Sequence, residues 1–299
     1  MWPASNNNAN PLRNNLMNYF IYNPISGNYA QSKRDALLKL IRSNPQNIIF
    51  ETENKDSEIS LTEKAIKLGA EKIIAVGGDG TISKVASVIA GSNIALGLIP
   101  LGSGNGLARH LQIPMNPSDA LKKALNGHNI KIDACTINNK MFFCTAGIGF
   151  DAYVAEIFDR RGKRGLINYM VAVLIALWKY QPIQVELESG NIETLFLLTI
   201  ANANQYGNNA FIAPHANIQD GHFEIIKIKN NNLLMMMTIS IRLFLKNIHE
   251  STGVQIQSAN AGWFKYKIGQ PIHLDGECMK TENEVLQLGI LPDALTVIV

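Results

Sequence analysis

KIIAVGGDGT, residues 72–81, sets a short β-branched run directly against a glycine turn. Apolar residues then recur at Ile82, Val85, Ala86 and Ile89, the i, i+3, i+4, i+7 spacing of an amphipathic helix. Strand, tight turn and helix in that order make one βα unit, and the flanking sequence repeats it. Upstream, Tyr19–Tyr22 reads as a strand running into Asn23-Pro24-Ile25-Ser26-Gly27, with a helix from Ser32 to Ile41. Asn47–Phe50 is the next strand, and Leu61–Leu68 a helix with Ser60 as N-cap and Glu63 closing a capping box. Downstream, Ile94–Ile99 is a strand feeding Gly102-Ser103-Gly104-Asn105-Gly106 and a short helix stopped at Pro114. Pro117–Leu125 follows, capped by Ser118 and ended at Gly127. Strands alternating with helices of this length predict a parallel sheet with helices on both faces.

After Asp133 the rhythm changes. Strand-like runs dominate, at 142–147, 184–188, 193–201, 223–228, 253–257, 265–268 and 285–290, with turn signals such as Ser189-Gly190 and Asp220-Gly221 between them. Only two helical stretches, about 152–180 and 232–248, interrupt them. A mostly antiparallel second domain is expected, with the boundary near 134–140 and a cleft between the two. The Asn-rich residues 1–17 read as a loose tail.

Composition narrows the class. The chain has 299 residues, 46% hydrophobic and 17% charged, with a formal net charge of +3. Soluble domains average about 25% charged residues, so this chain is charge-poor, yet too apolar to be disordered. A charge of +3 over this length makes no phosphate-binding stripe, and no nucleic-acid partner is expected. Cys135, Cys144 and Cys278 show no CxxC spacing, so they read as reduced thiols. The N-terminus lacks the basic and apolar regions of a signal peptide. The apolar stretches Leu166 to Trp178 and Leu233 to Leu245 fall short of the roughly 20 residues that span a bilayer. Both read as buried or interfacial helices of a cytoplasmic protein.

The glycine turns carry the chemistry. Gly77-Gly78-Asp79-Gly80-Thr81 lets the backbone approach a ligand without Cβ obstruction, and amides at the following helix start favour an anion. Asp79 repels bare phosphate there, which points to a bound Mg²⁺ or to a hydroxyl awaiting deprotonation; its blander role is N-cap of a tight turn. The turns at 102–106 and 23–27 also follow strands, so all three land on the carboxyl edge of the sheet, where open α/β sheets bind ligands. Asp275-Gly276-Glu277, alone, reads as a hairpin turn.

Together, NPISG, GGDGT, PLGSGNGLARHL and DGE, with AGIGFDA at 146–152, the segment 214–224 and the closing LPDALTVIV, resemble the diacylglycerol kinase catalytic family, which includes sphingosine kinases. The resemblance runs from about residue 18 to the end. It implies an α/β domain of the NAD kinase/phosphofructokinase type over 18–134, completed by 285–299, and a β-sandwich lipid-acceptor domain over 135–284. It further implies transfer of the ATP γ-phosphate, with Mg²⁺, to the hydroxyl of a membrane lipid, either diacylglycerol or a sphingoid base. ATP contacts would come from Asn23, Pro24, Ser26, Thr52, Gly77, Gly78, Asp79, Gly80, Thr81, Gly102, Ser103, Gly104 and Asn105. Arg160 and Arg164 match phosphate-binding arginines, and a solvated basic helix end is their plain alternative. Glu277 or Asp79 would be the base, and Asp151 would meet the lipid headgroup. Asn217, Asp220 and His222 match a structural Mg²⁺ site, through the Asp220 carboxylate and the other two carbonyls.

Two departures stand out. Gly106 replaces the Asp that many bacterial diacylglycerol kinases carry, which favours a sphingoid acceptor, and Lys84 replaces a usual Glu. With no membrane-targeting domain, the catalytic core would reach the lipid itself, as a peripheral membrane protein. An exposed strand of the second domain could pair with a copy of itself, giving a homodimer. Phosphorylation of a soluble nucleotide, as in NAD kinases, is the enzymatic alternative. A catalytically silent nucleotide- or lipid-binding module is the other.

Overall fold

The structure, a computed structural model, describes residues 17–27, 31–54, 56–162, 165–229 and 233–299. The first half alternates as its periodicity predicts: β1 (Asn18–Tyr22), α1 (Gln31–Arg42), β2 (Asn47–Glu51), α2 (Ser57–Lys67), β3 (Lys72–Gly77), α3 (Asp79–Ile89), β4 (Ala95–Pro100), α4 (Gly106–His110) and α5 (Pro117–Asn126). β2, β1, β3 and β4 lie side by side in that order, all parallel. Their inward residues, Phe20, Ile21, Ile74, Val76, Leu96 and Ile99, are fully buried against Ile41, Ile82, Val85 and Leu121 of the helices. A parallel sheet covered on both faces needs such near-continuous apolar strands.

The second half comprises β5 (Asn129–Ile137), β6 (Lys140–Phe142), β7 (Thr145–Gly149), α6 (Phe150–Arg161), α7 (Leu166–Lys179), β8 (Ile183–Leu187), β9 (Ile192–Ala201), β10 (Phe223–Lys229), α8 (Leu233–Leu245), β11 (Val254–Ala259), β12 (Ala261–Lys265), β13 (Pro271–Leu274), β14 (Glu277–Lys280) and β15 (Val285–Ile298). Every pairing among these strands is antiparallel, which bears out the expected change of fold class. β15 joins the halves. Its start pairs with β12, Leu288–Leu291 and Leu295–Ile298 pair with β5, and its last residues run parallel to β4. A bulge between Leu291 and Leu295, with Asp293 at φ 53°, lets one strand serve both sheets.

Several local expectations need correction. Helix α2 begins at Ser57, not after Ser60; Asp56, in the left-handed region, precedes it, and Ser60 Oγ merely donates to the Ser57 carbonyl. The cap of α5 is Asn116, whose Oδ1 accepts from the Ser118 and Asp119 amides, so Ser118 is inside the first turn. The stretch at 152–180 is two helices, parted at Gly162 and Gly165, both at positive φ. The strand expected at 265–268 lies earlier, at Ala261–Lys265, because Lys267–Gly269 turns towards β13. β5 and β13 had no expectation attached to them. Among the described residues, no helix is long and apolar enough to cross a membrane.

Candidate active site

Each parallel strand ends in a functional turn. Asn23 follows β1, Thr52 follows β2, Gly78 follows β3 and Gly102 follows β4, so the sheet collects them on its carboxyl edge. The turns touch closely enough to exclude side chains. A Cβ on Gly27 would collide with the Leu101 carbonyl, and one on Gly102 would lie 2.6 Å from the Gly78 Cα. Asn23 Nδ2 donates to Glu58 Oε1 (3.1 Å) and to Thr81 Oγ1 (3.0 Å), while the Gly78 amide donates to Ser26 Oγ (3.2 Å). Pro24 shapes the first turn, the Thr52 amide donates to the Tyr22 carbonyl, and Ser103 stays half-buried. Gly77 packs against the Thr81 side chain.

Asp79 does something its sequence position does not suggest. The cap of α3 is Gly78, and the Asp79 carboxylate crosses to the other glycine loop. Its Oδ2 accepts from the Asn105 amide (2.8 Å) and its Oδ1 from the Gly106 amide (2.7 Å). Asn105, at φ 53°, also donates from Nδ2 to the Gly102 carbonyl (2.9 Å), closing the turn. Burial pushes the Asp79 carboxyl up to about 6; the two amides oppose that rise and the nearby Asp275 charge adds to it.

The DGE turn approaches from the second domain. Asp275 is buried at φ 49° and is fully spoken for: Oδ2 accepts from Ser83 Oγ (2.7 Å) and the Phe143 amide (2.9 Å), Oδ1 from the Cys144 (2.7 Å) and Thr145 (3.1 Å) amides. It thereby ties the hairpin of β13 and β14 to α3 and to β7. Burial raises its carboxyl, against the pull of those four donors. Glu277 lies beyond it, 44% exposed, with Oε1 directly over Gly80, where any Cβ would collide with it. Asp79 and Glu277 therefore flank Gly80. Lys84 Nζ meets Asp56 Oδ1 (3.0 Å), Glu277 Oε1 (3.4 Å) and Glu58 Oε2 (4.0 Å).

Other expected residues lie elsewhere. Asp151, with its side chain 9% exposed, sits in a polar cluster of the second domain. Its Oδ2 accepts from Thr199 Oγ1 (2.7 Å) and the Tyr206 hydroxyl (3.2 Å), and His273 Nε2 stands 3.1 Å away, without hydrogen-bond alignment. Gly147 is bare beneath it, since a Cβ there would strike the Asp151 carboxylate. Arg160 is exposed at the end of α6 and pairs with Glu156 (2.9 Å), which also takes Lys280 of β14 (2.7 Å). Arg164 lies outside the described residues. At the expected structural metal site, Asp220 Oδ1 accepts from the His222 amide, its carbonyl meets His222 Nδ1, and the Gln219 amide donates to Asn217 Oδ1. That loop brings one carboxylate. Sequence reasoning passed over Glu58, Ser83 and His273, whose partners are 23 to 192 positions away.

Glycine turns on a parallel sheet edge, closed by an acid-bearing hairpin from an antiparallel domain, define a kinase of two halves. The model for the diacylglycerol kinase catalytic domain matches residues 18–137, and that for the YegS C-terminal NAD kinase beta sandwich-like domain matches residues 144–299. A Chromohalobacter salexigens protein named "Probable lipid kinase YegS-like" is 32% identical over 79% of this chain and 78% of its own. An Escherichia coli "Probable lipid kinase YegS" is 28% identical over 88% and 89%. A crystal structure of a diacylglycerol kinase from Bacillus anthracis shares the fold, with a TM-score of 0.67 and 18% identity, over 94% of this chain and 96% of that one. The chain belongs to the diacylglycerol kinase catalytic family.

Proposed function

We propose that the protein transfers the γ-phosphate of ATP to a hydroxyl of a membrane lipid, diacylglycerol or a sphingoid base. The observation that carries this reading is the pair of acids flanking Gly80 at the edge where three glycine turns meet. Bare backbone at Gly78, Gly80, Gly102 and Gly104 lets the turns and the hairpin close on one another at this edge, where the amides at the start of α3 suit a triphosphate and Asn23 and Thr81 offer polar contacts. The Asp79 carboxylate suits a hard divalent cation such as Mg²⁺, which would neutralise phosphate charge. Among the described residues no three His, Cys, Asp or Glu side chains are arranged to hold a metal, so other ligands would come from phosphates and water.

The two acids have unequal freedom. Asp79 is held by two amides, which suits a fixed ligand and organiser of the second loop. Glu277 is exposed at the hairpin, which suits taking the proton as the lipid oxygen attacks phosphorus and ADP leaves. Phosphoryl transfer depends chiefly on positioning and charge neutralisation, and both are built into these turns.

A lipid acceptor also needs a way to the bilayer. Helices α7 and α8 offer one, with Ile167, Leu174 and Trp178 exposed on α7 and Ile241, Phe244 and Leu245 on α8. Lys179 and Lys246 follow these faces. We read them as the surface that rests on the membrane.

The test is labelled ATP and Mg²⁺ with vesicles carrying diacylglycerol or a sphingoid base, followed by identification of the labelled product. A labelled lipid is expected, and none from Asp79→Asn or Glu277→Gln protein. Label in NAD with none in lipid, or ATP binding without transfer to either, would overturn the proposal.

A further inference from the structure

Glu277 leaves its hairpin with little to hold it. Its side chain is 44% exposed, and among the described residues its one ion pair is with Lys84. Lys84 is the opposite case. It stands on α3, one turn past Gly80, with its side chain only 17% exposed. On its far side are Asp56 at 3.0 Å and Glu58 Oε2 at 4.0 Å. Glu58 Oε2 is buried and has no hydrogen-bond partner, so this ammonium is the group that compensates it. The other oxygen of Glu58 accepts from Asn23 and Thr81. The ammonium therefore links the first glycine turn, the GGDGT turn and α2 to the DGE hairpin.

We propose that Lys84 is the positioning residue of Glu277, holding its carboxylate over Gly80 across the domain cleft. This rests on Glu277 as the proton acceptor of the reaction proposed above. Burial works against charge on Lys84, but Glu277, Asp56 and Glu58 outweigh it and hold its proton more firmly than usual. Three carboxylates surround one ammonium, so removing the ammonium leaves Glu277 repelled by Asp56 and Glu58. The carboxylate then swings from Gly80 toward solvent. The arrangement also explains why Gly80 is bare: a methyl there would occupy the place where Lys84 holds Glu277. A phosphate-binding lysine would instead be expected to keep its ammonium free of carboxylates.

The experiment uses the full chain with Lys84→Met, Lys84→Arg and Lys84→Met/Glu58→Gln. Turnover is followed with ATP and lipid vesicles, and amide exchange with deuterium is followed over residues 276–280. Lys84→Met should lower kcat about 10- to 100-fold with KM for ATP nearly unchanged, and should speed exchange in the hairpin. Lys84→Arg should restore most of kcat. The double variant, free of the uncompensated buried carboxylate, should recover thermal stability but not kcat, which separates positioning from folding. A Lys84→Met protein with raised KM for ATP and unchanged kcat would make Lys84 a phosphate ligand and overturn the proposal. Unchanged kcat with unchanged exchange would overturn it as well. If wild-type protein phosphorylates no lipid while hairpin exchange still depends on Lys84, the functional reading fails and the contact stands.

Discussion

Asp79 accepts the backbone amides of Asn105 and Gly106 at 2.8 and 2.7 Å, so the acid of one glycine loop holds the other in shape. Asp79→Asn puts an amide nitrogen or a weaker acceptor in front of two N–H groups. The loss should be about 1–3 kcal/mol of stability, besides the loss of turnover. Its pH dependence has a sign. The folded carboxyl titrates near 6 against an ordinary 3.8, so the stability it contributes is full below 3.8 and is lost as pH rises through 6. In metal-free buffer, the stability gap between wild type and Asp79→Asn should therefore widen as pH falls from neutrality into that window. Urea titrations across it check this, and a constant gap contradicts a buried carboxyl.

Gly106 is not a vacancy waiting for an acid. A Cβ there would lie 2.7 Å from Cys144 Sγ and 3.0 Å from the Tyr206 carbonyl, both on the second domain. Gly106→Asp, which supplies the acid expected here from the family resemblance, should cost at least about 2 kcal/mol through overpacking and an unpaired charge. It should not raise turnover with diacylglycerol. Denaturant midpoints and lipid assays on the same preparation decide it. A stable, more active variant would mean that the Cys144 wall yields.

Asp275 joins α3 to the second domain through Ser83 and three consecutive amides. Asp275→Asn leaves a buried NH₂ group facing N–H donors, and should cost about 3 kcal/mol. Ser83→Ala removes one donor and should cost about 1 kcal/mol. Both values are readable from urea melts. If Asp275→Asn melts like wild type, the acid is not what fastens the hairpin.

The three glycine turns were legible because each is a local event: a β-branched run, bare residues, then a helical period. The change to an antiparallel second half was legible for the same reason. What those turns do to one another was not. The partners of Asp79 lie 26 and 27 residues away, those of Asp275 130 or more, and no spacing rule reaches that far. The split at Gly162 and Gly165 had a local signal, but the apolar run on either side masks it under one helical period. β13 had none, being four residues that open on proline and bury a histidine. Lys84 was visible as a departure, yet its meaning needed α2 and the hairpin in place.

The apolar faces of α7 and α8 give the last test. Ala172 and Ala176 of α7 are buried against Val154 of α6, whereas Trp178 is 89% exposed. On α8, Ile239 packs inward while Phe244 stays in solvent. Each helix thus has its packed face satisfied and shows a second apolar face to water, which core formation does not explain. Burying a Trp or Phe side chain in the headgroup boundary is worth roughly 1.5–3 kcal/mol. The double variant Trp178→Ala/Phe244→Ala should therefore lose about 100-fold or more in partition onto lipid vesicles. Its thermal midpoint should hold, because neither side chain supports the core. With a net charge of only +3, added salt should weaken vesicle binding less than the double substitution does. Sedimentation with vesicles of neutral and of anionic lipid measures both effects. Unchanged partition in the double variant would rule out these two faces as a surface that rests on the membrane.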